Sequence, residues 1–109
     1  MRWRLATIVI VGLMTAALYL HHRSIEVWEN QLRATLWGLH TALHEYMFDK
    51  QKAPRTLQDM VQEHYLREVP VDPMTGSNST WRIVNEGGEV RVRSGSTRSG
   101  LNGKRYSDW

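Results

Sequence analysis

The sequence predicts an α+β fold: a long N-terminal helix packed on a short second helix and a small antiparallel β-sheet. Three observations carry that expectation. An uncharged run from Leu5 to Leu20 passes without a helix breaker into an amphipathic stretch that reaches Asp49. Pro54 then ends the helical periodicity. Finally, two alternating runs, Trp81 to Asn85 and Glu89 to Arg93, flank Glu86-Gly87-Gly88, a hairpin signal. Residues 1–52 therefore read as an anchoring and amphipathic helix, and residues 53–109 as a small globular part.

The apolar run is the first element to justify. Sixteen residues as helix reach about 24 Å, against roughly 30 Å of hydrocarbon core. Leu5, Ile8, Val9, Ile10, Val11, Leu13, Leu18 and Leu20 supply its apolar side chains. Trp3 and Tyr19 stand where interfacial aromatics anchor, and Arg4 and Arg23 can snorkel to the headgroups. Arg2 and Arg4 place the N-terminus in the cytoplasm by the positive-inside tendency, with the residues after Arg23 outside. A cleaved signal peptide is the competing reading, with Thr15-Ala16-Ala17 as a poor cleavage pattern. Leu18-Tyr19-Leu20 continue the run past that point, which favours a retained anchor.

From Ser24 to Asp49 there is no proline and a single glycine, Gly38. Ile25, Trp28, Leu32, Leu36, Leu39, Leu43 and Tyr46 recur at steps of three or four, a packing or assembly stripe along one face. Glu29 and Arg33 read as a favourable i,i+4 pair on the outer side. The simplest structure is one helix from about Leu5 to Asp49, roughly 65–70 Å long.

Beyond Pro54, Thr56 reads as an N-cap with Asp59 three residues on, opening a second helix with Leu57, Met60, Val61 and Tyr65 inward. The stretch from Val69 to Gly76 is dense in turn residues and predicts a structured loop. Val90 and Val92 point to one face of a strand, Arg91 and Arg93 to the other. Tyr106 and Trp109 predict that the glycine- and serine-rich tail is pinned to the sheet.

Composition removes several function classes. The chain has 109 residues, enough for one small domain. It has no cysteine, which excludes disulfide frameworks, zinc ribbons and thiol catalysis. The net charge of +3 is too mild to define a partner. Arg91, Arg93, Arg98, Lys104 and Arg105 form a basic tail, but no recognised nucleic-acid motif accompanies it, so nucleic acid is not expected. A solvated strand face explains that tail better than a polyanion site does. His40 and His44 have the i,i+4 spacing at which two imidazoles share a metal, yet no third histidine or HExxH pattern joins them. No catalytic constellation is present: Gly95-Ser96-Thr97-Arg98-Ser99-Gly100 fits neither the P-loop nor the G-x-S-x-G pattern.

The order of elements, with Leu32-Arg33 through Asp49-Lys50, Ala53-Pro54-Arg55-Thr56-Leu57, Tyr65-Leu66-Arg67-Glu68-Val69-Pro70-Val71-Asp72-Pro73-Met74-Thr75-Gly76, Val92-Arg93-Ser94-Gly95-Ser96 and Tyr106-Ser107-Asp108-Trp109, resembles the type IV pilin-like proteins. More specifically it resembles the major pseudopilin of type II secretion systems over about residues 30–109. Pro70, Asp72, Pro73 and Gly76 belong to its most specific block. The resemblance implies a structural filament subunit in the bacterial inner membrane, with a periplasmic C-terminal domain. It further implies partners among other pilin-like subunits and secretion-machinery membrane proteins. Alternatives are an anchored accessory protein of the same fold that does not polymerise, and an exported module that binds a polyanion through the basic tail.

Two features depart from that family. Its peptidase site, Gly then Phe with a Glu at the fifth mature position, is absent as written. Counting from Gly12, the fifth residue on is Ala17, and aligning the apolar run puts Trp3 at the Glu position. This predicts an anchored but unprocessed protein, or else a different start. The helix-kinking proline near the end of the membrane segment is missing too. The family also implies calcium in the C-terminal loop, where Asp108 is the sole acidic candidate between Ser94 and Trp109 and retention is therefore not expected.

Overall fold

The computed structural model describes residues 2–109 as an α+β chain dominated by one helix. Helix α1 runs from Arg2 to Lys50 without interruption. It sets the 74 Å long axis of the molecule, whose other dimensions are 29 and 18 Å. The sequence carries no signal that would break it before its end. There, Gln51 takes the left-handed conformation (φ 57°) and its N–H donates to the Met47 carbonyl at 2.9 Å. This is the αL stop usually made by glycine. The helix therefore ends four residues before Pro54, which only forbids its resumption.

Helix α2, Leu57–Gln62, lies against the upper part of α1 with Leu57 and Met60 buried. Its start differs from the expected cap: the Thr56 side chain makes no capping bond. The Asp59 carboxylate instead reaches back to the Arg55 N–H at 3.0 Å, satisfying a donor before the helix rather than within it. At its far end His64 adopts φ 67°, and the Tyr65 N–H returns to the Met60 carbonyl at 2.8 Å in a Schellman-type closure.

Strands β1 (Arg82–Glu86) and β2 (Glu89–Arg93) form a two-stranded antiparallel sheet, with Ile83 opposite Val92 and Glu86 opposite Glu89. Gly87 and Gly88 both have positive φ, 60° and 88°, as a type I′ turn requires. Strand β2 is the one that lies on α1. A short 3₁₀ turn, η1 (Tyr106–Asp108), closes the chain against β2.

Two apolar clusters hold these parts together. The upper one joins Leu39, Leu43 and Tyr46 of α1 to Leu57, Met60 and Val92. The lower one joins Leu32 and Leu36 to Met74 and Tyr106, with Trp81 and Trp109 packed against it. Burying a side chain of this size stabilises the fold by about 1.5–3 kcal/mol. The tail is pinned as its aromatic residues predicted: Tyr106 is buried and meets Trp109 edge-on at 5.1 Å.

Candidate assembly surface

Helix α1 presents two different apolar faces. The stripe read from the sequence is mostly occupied within the chain itself: Leu32, Leu36, Leu39, Leu43 and Tyr46 are all buried. Its lower end departs from expectation, because Ile25 is only half-buried and Trp28 is 52% exposed. The globular part reaches down α1 in force only as far as Glu29. Below that level Pro73 and the loop from Arg98 to Leu101 face the helix across an open cavity.

Glu29 itself is the clearest correction. It is not an outward ion-pair partner but is 4% exposed. One carboxylate oxygen accepts from the Leu101 N–H at 2.8 Å and from the Tyr106 hydroxyl at 3.1 Å. Burial and that bond push the Tyr106 hydroxyl pKa up. Gly100 permits the close approach, since a Cβ there would meet Trp109, Tyr106 and Glu29 atoms at 2.8–3.3 Å. Arg33, free of Glu29, lies over the Trp109 ring at 4.4 Å and bonds Asn30 at 3.3 Å.

His40 is also explained by packing. Its Nε2 accepts from the Val92 N–H at 3.1 Å and so satisfies a strand-edge donor. Burial lowers its pKa, and the charges of Arg91, His44 and Arg93 act in the same direction. His44 is exposed.

The Val69–Gly76 loop is built on Asp72, which is fully buried. Its carboxylate accepts from the Ser94 hydroxyl at 2.6 Å, the Met74 N–H at 2.8 Å and the Gly95 N–H at 3.2 Å. Pro70 contributes its carbonyl to the Trp81 indole at 2.7 Å, and Gly76 turns the chain at φ 72°. Asp72 thus ties this loop to the segment after β2, a structural knot rather than a reactive centre.

The basic tail is less free than its composition suggests. Arg91 pairs with Glu89 at 3.0 Å and Arg93 with Glu86 at 2.7 Å, and the latter pair holds the Glu86 carboxyl below its usual range. Arg93 also donates to the Asp108 carbonyl at 2.9 Å. Calcium requires six to eight oxygens, several of them anionic. Among the described residues no three acidic or histidine side chains converge, at Asp108 or elsewhere.

The second face of α1 is the one sequence reasoning missed. Ala6, Leu13, Leu20, Val27, Ala34, Thr41 and Phe48 fall seven residues apart, and Trp37 lies beside the same row. It turns away from the globular part: Val27 is 63%, Trp37 77% and Phe48 80% exposed. Below it the anchor residues Leu5, Ile8, Val9, Ile10, Val11, Leu13, Leu18 and Leu20 are each 56–68% exposed. The signal was the seven-residue spacing, masked by the stronger three-and-four pattern of the buried face. The helix is long and apolar enough to cross a membrane, and none of the described residues covers its apolar stretch.

Family models, curated proteins and solved structures were compared with the chain, and none matches. The geometry is that of a rod with one face covered by its own globular part and, on the other, exposed Val27, Trp37 and Phe48 above the apolar run.

Proposed function

We propose that the chain is a membrane-anchored, pilin-like structural subunit of a type II secretion pseudopilus or related filament. The observation that supports it is the uncovered row Val27–Ala34–Trp37–Phe48, which continues the apolar segment upward on the side opposite the globular part. A soluble monomer gains nothing from a large apolar row in water. A bundle of such rods buries it, and a seven-residue repeat on a helix of 3.6 residues per turn favours a left-handed winding. The globular part then faces outward.

The absence of cysteine makes the test clean. Ala34→Cys, introduced into the full chain in membranes, is treated with a short thiol cross-linker. A covalent dimer, the largest product that one thiol per chain can give, is expected, and Trp37→Arg in the same chain removes it. Absence of that dimer, with the chain membrane-bound, overturns the filament and leaves an anchored accessory protein. The polyanion-binding alternative is weakened by the pairing of Arg91 and Arg93 with Glu89 and Glu86.

A further inference from the structure

Where α1 leaves its apolar run, a cavity of about 390 Å³ opens between the helix and the loop that follows β2. His21, Ile25 and Trp28 of α1 form one wall; Pro73, Arg98 and Leu101 form much of the other. No carboxylate lines it. Trp28 and Leu101 remain 52% and 45% exposed at its mouth.

Arg98 is held in place there. Its guanidinium donates to the Met74 carbonyl at 2.5 Å, its N–H to the Ser96 hydroxyl at 3.3 Å, and its carbonyl accepts from the Tyr106 N–H at 2.9 Å. None of these partners is charged. Among the described residues no carboxylate lies within ion-pair distance of Arg98, so a fixed positive charge is left uncompensated with four N–H donors still available.

The height of this cavity identifies what meets it. The headgroup layer is about 5–8 Å deep on each side of the hydrocarbon. His21 to Ile25 lie about 1.5–8 Å along the axis beyond Leu20, within that layer. The apolar run is also about 6 Å shorter than the hydrocarbon core, a mismatch that draws the flanking residues toward the bilayer. Trp28 and Leu101 add the amphipathic rim that suits this depth.

We propose that this cavity binds the phosphate of an anionic lipid headgroup in the leaflet where α1 emerges, with Arg98 as its main ligand and His21, Trp28 and Leu101 around it. The inference rests on the anchored reading of α1. Docking holds the globular part down on the membrane surface until the subunit leaves it.

The test uses the full chain in vesicles, with a fluorophore on Ser99→Cys and a reference fluorophore on Gln58→Cys high on α2. The vesicles are phosphatidylcholine with or without about 30% phosphatidylglycerol, and carry a headgroup-linked nitroxide quencher. The Ser99 label is expected to be quenched strongly only with phosphatidylglycerol, and the Gln58 label in neither. Arg98→Gln should lower the docked-to-undocked ratio about fivefold, the effect of one basic group near an anionic surface. Arg98→Lys should keep most of it. Leu101→Ser, which leaves Arg98 and its Met74 bond in place, should weaken docking as well.

Equal quenching in both lipids, or no effect of Arg98→Gln, overturns the proposal. So does a response of the Ser99 label in detergent to inorganic phosphate alone, which would assign the site to a free anion. Failure of carbonate-washed vesicles to retain the chain overturns the anchor and this site together. Retention with an unquenched Ser99 label overturns this site alone.

Discussion

The Ser94 hydroxyl donates to the Asp72 carboxylate at 2.6 Å across a contact in which both residues are fully buried. Removing the acceptor leaves that hydroxyl and the N–H groups of Met74 and Gly95 without it, and a hydrogen bond to a charged group contributes about 1.5–3 kcal/mol. Asp72→Ala is expected to destabilise the globular part by about 3 kcal/mol or more, and Asp72→Asn by about half as much. Denaturant unfolding of the full chain in detergent measures both. A loss below about 1 kcal/mol for the alanine variant would mean that the loop stands without this knot.

The tail should come loose when its anchor on α1 is changed. Glu29→Gln keeps the shape of the side chain but removes its charge, so the bond to the Leu101 N–H weakens. The expected result is faster hydrogen exchange at Leu101, by about tenfold or more, with the upper cluster around Leu43 and Met60 unaffected. Uniform acceleration over both clusters would show that Glu29 supports the whole fold instead.

Stability should fall in acid through His40. The folded state holds His40 below its ordinary pKa, because burial disfavours the imidazolium and Arg91, Arg93 and His44 face it. Its Nε2 must also be free of a proton to accept from Val92. The unfolded chain thus takes up a proton near pH 6.5 while the folded chain resists. The contribution is fully present above that pH and is lost as pH falls toward the folded pKa. His40→Gln, measured alongside the parent between about pH 7.5 and 5, is expected to flatten that part of the profile.

Trp37 and Phe48 offer the opposite kind of prediction. At 77% and 80% exposure they contribute little to the isolated fold. Trp37→Ser and Phe48→Ser should each change unfolding stability by no more than about 0.5 kcal/mol. The same variants should reduce cross-linking through Ala34→Cys. A variant that unfolds the subunit would place these rings in a core that the exposed row does not suggest.

The unbroken helix, the stop before Pro54, the glycine hairpin and the pinned aromatic tail were all legible because each rests on neighbours in the chain. Glu29 was misread for the converse reason. An i,i+4 carboxylate and guanidinium satisfy a local rule, whereas its real partners lie 72 and 77 residues away. His40 was likewise placed correctly on a helix flank, but its partner, 52 residues on, belongs to a strand edge that only the tertiary fold brings near. Trp28 kept the helical spacing yet lost its cover, because periodicity gives the direction of a side chain and not how far the opposing surface extends. The Tyr65 hydroxyl, which donates to Asp49 at 2.6 Å and is pushed up to about 12, closes the top of the molecule through another such distant pair.

The continuity of α1 also has a mechanical meaning. Between Arg4 and Lys50 there is no proline and no linker, the usual causes of a bend or of slack. A shove or a twist delivered at the lower end therefore arrives at the hairpin with little absorbed on the way. Each residue of axial travel moves the upper end by about 1.5 Å, and one residue of rotation turns it by about 100°. Gly38 is the softest link above the lipid, and a stiffer residue there would make the shaft a more faithful transmitter of whatever drives its base.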